Sequence, residues 1–162
     1  MSDTRRQSFA TSLTQRQGFD RFEIPEELIT LVYMSKRKTL TVLIADGSRA
    51  MVERLTDILE RVRGLKLIGY AVTAQETTHS IQELRPDVVI LDLQMTNGRG
   101  INVLRAIKSS SPDIRIIILS NFPYPQYRKK CLEAGADFFL DKSLDFSKMP
   151  EILRDLMANS LG

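Results

Sequence analysis

Apolar and polar positions alternate in two distinct rhythms from about residue 39 onward. Three short runs, Leu40–Ala45, Val88–Leu93 and Arg115–Ser120, are almost continuously apolar. Runs of this length and character are typical of strands that are buried on both faces of a parallel sheet. We therefore predict three central strands with helices covering both faces. Two further strands are predicted at Leu67–Val72 and Phe138–Leu140.

Between these runs the apolar residues follow helical spacing, which predicts a helix after every strand. Ser48 is a suitable N-cap for the first helix, and Gly64 is expected at its C′ position. Thr73 and Glu76 have the spacing of a capping box at the second helix. The remaining helices are predicted over about 100–109, over 126–134 and from Met149 to Met157. Alternating strands and helices predict an α/β fold, a doubly wound five-stranded parallel sheet with helices on both faces.

The first 38 residues follow neither rhythm until a short segment near their end. Residues 1–19 are poor in large apolar side chains, so we expect them to be disordered. The segment Pro25–Glu27 has the features of a helix start, and the apolar residues after it fall on one face. A helix this short is marginal alone, so we expect it to dock on its own domain, a second copy or a partner. The sequence thus predicts an N-terminal extension, 1–38, and a folded domain, 39–162.

Composition and charge exclude several classes of protein but say little about the fold. One cysteine and one histidine in 162 residues exclude a disulfide framework and any metal site that needs two of either. No apolar run approaches the roughly 20 residues of a transmembrane helix, and no secretory signal is visible, so we expect a cytoplasmic protein without membrane contact. Residues 39–162 hold 16 Lys/Arg and 15 Asp/Glu, a near-neutral balance that does not favour nucleic-acid binding.

Four polar residues fall at or just past the carboxyl ends of predicted strands: Asp46, Asp92, Ser120 and Lys142. In open α/β sheets this edge is where ligands bind. Two carboxylates can hold Mg²⁺, and an aspartate can attack a phosphoryl donor to form an acyl phosphate. A lysine can neutralise the transferred charge, and a serine hydroxyl can hydrogen-bond a phosphoryl oxygen. Each residue taken alone also has a structural explanation, as a turn acid, a loop hydroxyl or a surface amine.

Nucleotide and flavin enzymes on the same fold form an alternative from another class. They need phosphate-binding loops rich in Gly, Ser or Thr after the first strand, where this chain has only Asp46-Gly47-Ser48. No Walker-type Gly-Lys-Ser/Thr occurs in the sequence. The sequence therefore disfavours this alternative, and a colourless purified protein would disfavour flavin further.

Several segments together resemble the receiver domain of response regulators in two-component signalling. They are LIADGS (43–48), RPDVVILDLQM (85–95), Gly100, IIILS (116–120) and AGADFFLDK (134–142). The resemblance covers about residues 39–160, nearly all of the predicted folded part. It implies a flavodoxin-like strand order of 2-1-3-4-5 and a signalling domain rather than an enzyme acting on a metabolite. It also implies partners, namely a sensor histidine kinase or phosphotransfer protein and a downstream protein target.

The resemblance assigns roles to the residues at the strand ends. Asp92 corresponds to the phosphoacceptor, and Asp46 to a member of the acidic pocket. Mg²⁺ would be held by these two carboxylates and by the backbone carbonyl of Gln94. Ser120 resembles the switch hydroxyl, and Lys142 resembles the lysine that contacts the phosphoryl group.

Further roles carried over from the family concern aromatic residues and the loop after the fourth strand. Phe139 stands at the aromatic switch position, and Gln94 and Phe122 stand where family members tune hydrolysis. We expect the bulky Phe122 to shield the acyl phosphate. We also expect Phe122, Tyr124 and Tyr127 to form part of a partner surface, because aromatic residues are enriched at interface anchors.

Three departures from the family pattern leave the function open. Gly47 replaces the second of two adjacent acids, so we expect weak Mg²⁺ binding. Thr96 stands where a proline commonly follows the methionine, and Ser143 replaces the proline that commonly follows the lysine. Asp92 is then either phosphorylated with weaker metal dependence, or the chain is a pseudo-receiver that binds partners without phosphorylation. A DNA-associated regulator that uses the basic segment 1–38 is a further alternative. Because the sequence ends at Gly162, we expect its signal to leave through the receiver surface or through this segment. A homodimer is among the expected partners.

Overall fold

The computed structural model describes residues 24–35, 39–95 and 100–160. The chain divides into two units between Lys38 and Thr39, and each is described here by itself. In the first unit, helix α1 spans Glu26–Ser35 and begins directly after Pro25, with two acids in its first turn. Acids at this end are favourable because the helix dipole is positive there. Residues 1–19, for which disorder is expected, lie outside the described residues.

The second unit is built on a parallel sheet of five strands. The order across the sheet is β2-β1-β3-β4-β5, as the resemblance implied. The strands are β1 (Leu40–Ala45), β2 (Leu65–Ala71), β3 (Val88–Asp92), β4 (Arg115–Ser120) and β5 (Phe138–Asp141). The three central strands are buried almost throughout, which confirms the prediction made from their continuous apolar runs.

Helices cover both faces of this sheet. They are α2 (Arg49–Arg61), α3 (Ala74–Leu84), α4 (Gly100–Ser110), α5 (Pro125–Glu133) and α6 (Met149–Asn159), with a single 3₁₀ turn at Phe146–Lys148. One core cluster packs α3, α4 and α5 on one face, and a second packs α2 and α6 on the other. The doubly wound architecture with helices on both faces is confirmed.

Helix ends follow the capping chemistry of the sequence with one exception. Ser48 Oγ accepts a hydrogen bond from Met51 N (3.4 Å), and Thr73 Oγ1 accepts one from Glu76 N (3.1 Å). The exception is the expectation for Gly64, which is wrong: α2 ends at Arg61, and the extended Val62 is its C-cap. Gly64, with a φ of +87°, instead lies in the turn that leads into β2, a left-handed conformation that glycine adopts without strain.

Asp137, just before β5, ties two strands and α4 together. Its carboxylate accepts hydrogen bonds from Ile116 N (2.8 Å) and Arg115 Nη1 (2.7 Å), and Lys108 Nζ lies 3.3 Å away. Burial opposes ionisation of this carboxyl, but the Ile116 amide and the two cations outweigh burial and lower the pKa of Asp137. The charged form is therefore the one that the fold stabilises.

Replacing Asp137 with asparagine is expected to lower the free energy of unfolding by about 2 kcal/mol at pH 7, because a charged acceptor of several bonds is lost. Because the pKa of Asp137 is lower in the folded state than in the unfolded state, its charge stabilises the fold at any pH above the unfolded-state pKa. This stabilisation disappears as the pH falls through the folded-state pKa. The gap between wild type and D137N, measured by urea unfolding, should therefore shrink below about pH 4. D113N, which alters an exposed acid, is the control; a pH-independent gap would contradict this account.

Candidate functional site

Strand register brings the four predicted residues to one edge of the sheet. Ala45 pairs with Leu91, so Asp46 and Asp92 follow neighbouring strands at the same level. Asp92 pairs with Leu119, which immediately precedes Ser120. Lys142 N donates to Ser120 O (2.9 Å), which places Lys142 beside the end of β4. The sheet thus gathers all four at its carboxyl edge, at the point between β1 and β3 where the strand order reverses.

A buried lysine joins the two carboxylates. Lys142 Nζ lies 2.7 Å from Asp46 Oδ2 and 3.3 Å from Asp92 Oδ2. All three residues are buried, with at most 7% of each exposed. Asp46 Oδ1 accepts from Ser48 N (2.8 Å), and Asp92 Oδ1 accepts from Gln94 N (2.9 Å). The trio carries a net charge of one negative unit, and each carboxylate keeps lone pairs that a ligand can use.

The environment of Asp92 works against its own charge. Burial raises the pKa of Asp92, the Gln94 amide and the Lys142 ammonium partly offset the rise, and the Asp46 charge adds to it. Asp46 forms the shorter of the two ion pairs with Lys142, and it also accepts the hydrogen bond from Ser48 N in the turn before α2. The structural interpretation of Asp46 as a turn acid is therefore confirmed, and its place in an acidic pocket stays a prediction. Lys142 is the cation on which the buried charge of Asp92 depends.

The predicted switch residues lie close behind this edge. Ser120 is fully buried, and its Oγ accepts a hydrogen bond from Phe122 N (3.0 Å), which leaves its hydroxyl hydrogen free to donate. Phe139 is buried in the core cluster under α4 and α5. The guanidinium carbon of Arg128 lies 5.3 Å from the centroid of the Phe139 ring, a cation–π distance. Sequence reasoning missed Arg128, because a helix pattern alone does not reveal a partner on a distant strand.

The aromatic residues after β4 lie at the surface. Phe122, Tyr124 and Tyr127 are 42%, 52% and 42% exposed. Phe122 stacks on Tyr124 with 6.2 Å between ring centroids, and Tyr124 contacts Tyr127 at 5.9 Å. The three rings therefore pack mainly on one another and leave a ring face or edge available to solvent.

The predicted donor set for Mg²⁺ has one carboxylate fewer than the family pattern. Gly47 offers no side-chain ligand, Glu53 pairs with Arg49 at 3.0 Å, and Asp57 is exposed on α2, so neither acid of the helix replaces the missing one. Within the described ranges, no group of three or more His, Cys, Asp or Glu is arranged to hold a metal. Mg²⁺ in phosphoryl-transfer sites is often held by one or two carboxylates together with water and phosphate oxygens. Asp46, Asp92 and the Gln94 carbonyl fit that requirement at its lower limit.

A turn that sequence reasoning overlooked holds Lys142 in place. Asp141 Oδ1 accepts hydrogen bonds from Ser143 N (2.7 Å) and Leu144 N (3.3 Å). Asp141 N in turn donates to Asp145 Oδ2 (3.1 Å). These bonds stabilise the loop in which Ser143 stands in place of proline, and none of the peptide bonds in the described residues is cis. The sequence pattern that would have predicted this turn is an aspartate followed two residues later by a residue with a backbone N–H, which is the pattern of an Asx-turn.

Comparison with known families agrees with this geometry. The profile of the family described as "Response regulator receiver domain" matches residues 42–154. The chain belongs to this family. It is therefore a receiver domain of two-component response regulators, and receivers interact with histidine kinases or phosphotransfer proteins and typically bind Mg²⁺ in an acidic pocket.

Individual relatives differ in what accompanies the receiver. The chain is 33% identical over 119 residues to a protein-glutamate methylesterase/protein-glutamine glutaminase of Clostridium acetobutylicum, covering 70% of this chain and 34% of that protein. It is 29% identical over 115 residues to the transcriptional regulatory protein YvfU of Bacillus subtilis, covering 71% and 58%. The chain thus spans about a third to three-fifths of the length of these curated relatives.

A solved structure resembles the receiver over most of its length. The response regulator domain of Thermotoga maritima CheB matches with a TM-score of 0.65 and 29% identity, covering 75% of this chain and 96% of that one. Among the helices that the structure describes, none combines the length and apolar character needed to span a bilayer.

Proposed function

We propose that this receiver accepts a phosphoryl group on Asp92 and signals through protein–protein contacts. The observation that carries the proposal is the convergence of Asp46 and Asp92 on Lys142 Nζ, at 2.7 and 3.3 Å. A buried carboxylate with an ammonium beside it has both the nucleophile and the cation that phosphoryl transfer requires. The phosphoryl donor is a histidine kinase, a phosphotransfer protein or a small acyl phosphate.

In the proposed step, an Asp92 carboxylate oxygen forms a bond to the phosphorus of the donor. The bond from phosphorus to the donor's leaving atom breaks, and its electron pair leaves with the donor. Lys142 neutralises the added negative charge, and the Ser120 hydroxyl donates to a phosphoryl oxygen. Asp46, Asp92 and the Gln94 carbonyl would hold Mg²⁺, which would supply additional charge neutralisation. When the Ser120 hydroxyl moves toward the phosphoryl group, the Phe139 ring moves with it, and this movement changes the surface around β5.

Labelling with acetyl phosphate tests this proposal. Intact-mass spectrometry of the full chain with Mg²⁺ should detect one added phosphoryl group, and Asp92→Asn should abolish it. Asp87→Asn, which changes an acid on the opposite edge of the sheet, serves as the matched control and should still be labelled. Failure to label wild type with acetyl phosphate or a cognate kinase at saturating Mg²⁺ would overturn the proposal.

The second candidate is a pseudo-receiver that binds partners without phosphorylation. The substitution at Gly47 favours it, because only two carboxylates remain to hold the metal. Restoring the acid separates the two candidates: Gly47→Asp should raise labelling and its Mg²⁺ affinity if the site is active but weakened. No labelling of this variant would favour the pseudo-receiver. No observation on the described residues favours the DNA-associated alternative.

We propose that the phosphorylated receiver loses its phosphoryl group slowly. Phe122 N donates to Ser120 Oγ (3.0 Å), and its ring would then shield the site from water. Phe122→Ala should increase the dephosphorylation rate by up to about tenfold, which corresponds to a barrier lowered by about 1.4 kcal/mol. The measurement is loss of the labelled mass over time after donor removal. Tyr70→Ala, which removes an exposed ring on β2, is the control. An unchanged lifetime in F122A would show that the ring does not shield the phosphoryl group.

We also propose that the exposed rings of Phe122, Tyr124 and Tyr127 anchor a downstream protein. Their exposure and mutual stacking support this, since rigid aromatic groups bury large areas at low entropic cost. A homodimer through the same rings is the competing occupant, and sedimentation of phosphorylated and unphosphorylated chain distinguishes it from a different partner.

A further inference from the structure

A cleft of about 590 Å³ opens beside the phosphoacceptor edge. Its walls come from three places: Leu93 and Gln94 directly after β3, helix α4 and helix α5, with Ser120 at the end of β4 forming the floor. A volume of this size falls within the range of small-molecule sites in proteins. Nothing in the transfer of a phosphoryl group to Asp92 requires a cleft that extends this far between two helices.

The charged residues that line the cleft are both cations. Arg105 on α4 and Lys130 on α5 face it from opposite walls. In the described residues no carboxylate lines the cleft, and neither cation has an acidic side chain within 4 Å. The positive field of Arg105 also reaches the wall, where it opposes the rise that burial causes in the pKa of Cys131. Arg105 and Lys130 are both exposed, and two cations that line one cleft without an acidic partner favour an anion between them.

The remaining lining has a different character. Phe122 and Tyr127 present rings, and Ile101 adds an aliphatic surface one helical turn before Arg105. Ser120 on the floor has a hydroxyl hydrogen that can donate. An apolar wall with a few convergent polar groups is the usual composition of a site for an organic ligand. The combination selects a ring or other flat apolar body that carries a negative group.

A second groove provides an internal comparison. It lies between α3 and α4 at the opposite end of the sheet and is larger, about 810 Å³. Its charged lining residues are Arg85 and Asp113, one of each sign. The charges in this groove cancel, so it does not favour an anion over a cation. The two sites therefore differ in the charge of their lining residues, and the larger volume of the second does not make it an anion site.

We propose that the cleft between α4 and α5 binds a small organic anion with an aromatic or similarly flat body. The anionic group lies between Arg105 and Lys130, and the ring packs against Phe122 and Tyr127. The inference goes beyond phosphorylation of Asp92. Gln94, Ser120 and Phe122 belong to both sites, but Arg105 and Lys130, which select the anion, have no part in the proposed phosphoryl transfer.

The probe for the test is 8-anilinonaphthalene-1-sulfonate, an aromatic sulfonate that fluoresces on binding. Titration of the folded full chain should give saturable one-to-one binding, and the double variant Arg105→Gln, Lys130→Gln should weaken it about tenfold, the sum of two exposed ion pairs. The neutral analogue N-phenyl-1-naphthylamine should bind both proteins alike. A matched double variant on the β2 edge, Arg63→Gln with Lys66→Gln, should leave both affinities unchanged.

Backbone NMR shifts locate the probe. The largest changes should fall at Leu93, Ser120 and Tyr127, and Asp92→Asn should bind the probe as well as wild type, which separates this test from the phosphorylation test. Thermal melts of every variant confirm that the fluorescence comes from folded protein. Non-saturable binding, equal affinity in the Arg105/Lys130 variant, or shifts confined to the groove between α3 and α4 would each overturn the proposal.

Discussion

Lys142→Met is expected to lower the free energy of unfolding by about 3–5 kcal/mol at pH 7, the range for breaking a buried ion pair by removing one partner. Two buried carboxylates, Asp46 and Asp92, would then share the same space without their cation. Methionine keeps most of the volume and the apolar stem, so little of the loss comes from packing. The measurement is urea unfolding monitored by circular dichroism.

The pH dependence of this loss identifies its cause. Burial already raises the pKa of Asp92, and Lys142 holds part of that rise back, so removing Lys142 raises the folded pKa further. A carboxyl whose folded pKa exceeds its unfolded value destabilises the fold above the folded pKa, and this cost disappears as the pH falls toward the unfolded value near 4. The deficit of K142M should therefore shrink as the pH is lowered from 7 to 4.

A surface pair on the same chain is the matched control. Lys148 Nζ lies 2.7 Å from Asp145 Oδ1, the distance found for Lys142 and Asp46, but Lys148 is largely exposed. Lys148→Met should cost no more than about 1 kcal/mol, because water already solvates the Lys148 ammonium and Asp145 keeps its bond from Asp141 N. Adding Asp46→Asn to K142M should recover part of the loss by removing one uncompensated charge. Equal losses in K142M and K148M would mean that burial does not strengthen the dependence of the carboxylates on their lysine.

The central strands were predictable because their apolar runs are unambiguous. β1 and β4 have the predicted ends, each where a polar residue or loop begins. β2 begins two residues earlier than predicted, since it is an edge strand with mixed burial and its start is set by pairing of Leu40 with Leu65. β5 extends to Asp141 for the same reason, through its pairing with Ser120. Strand ends thus depend on partners that a local pattern does not contain.

The site was predictable as far as it follows strand ends. Asp46, Asp92, Ser120 and Lys142 needed only the rule that parallel strands end at one edge. The Asp141 turn and the pair of cations in the cleft were not anticipated. A turn depends on which N–H groups a short side chain reaches, and the cleft depends on the distance between two helices. Both are set by packing after the strands are in place.

Gly100→Ala should impair both stability and phosphorylation, because Gly100 is the residue at which α4 meets the backbone that carries Asp92. A Cβ at this position would lie 2.5 Å from Leu93 O and 2.7 Å from Asp92 O. These are backbone atoms at the end of β3, so relief requires the helix or the strand end to shift. We expect a loss of about 3 kcal/mol in unfolding free energy, at the upper end of overpacking costs. Displacement of Asp92, the proposed phosphoacceptor, by even about 1 Å should slow labelling by roughly a hundredfold.

Gly69→Ala is the matched control, since it adds the same methyl group at another glycine of the same domain. There the nearest atoms are Leu84 Cδ1 at 3.1 Å and Leu43 Cδ1 at 3.4 Å, the ends of side chains that can rotate away. The free energy of unfolding of G69A should change by less than about 1 kcal/mol. Alanine lowers the entropy of the unfolded chain, and this gain partly offsets the cost of the added methyl group. Labelling of G69A should match wild type. If G100A and G69A behave alike in both assays, close backbone contact does not position Asp92, and the strand end alone must do so.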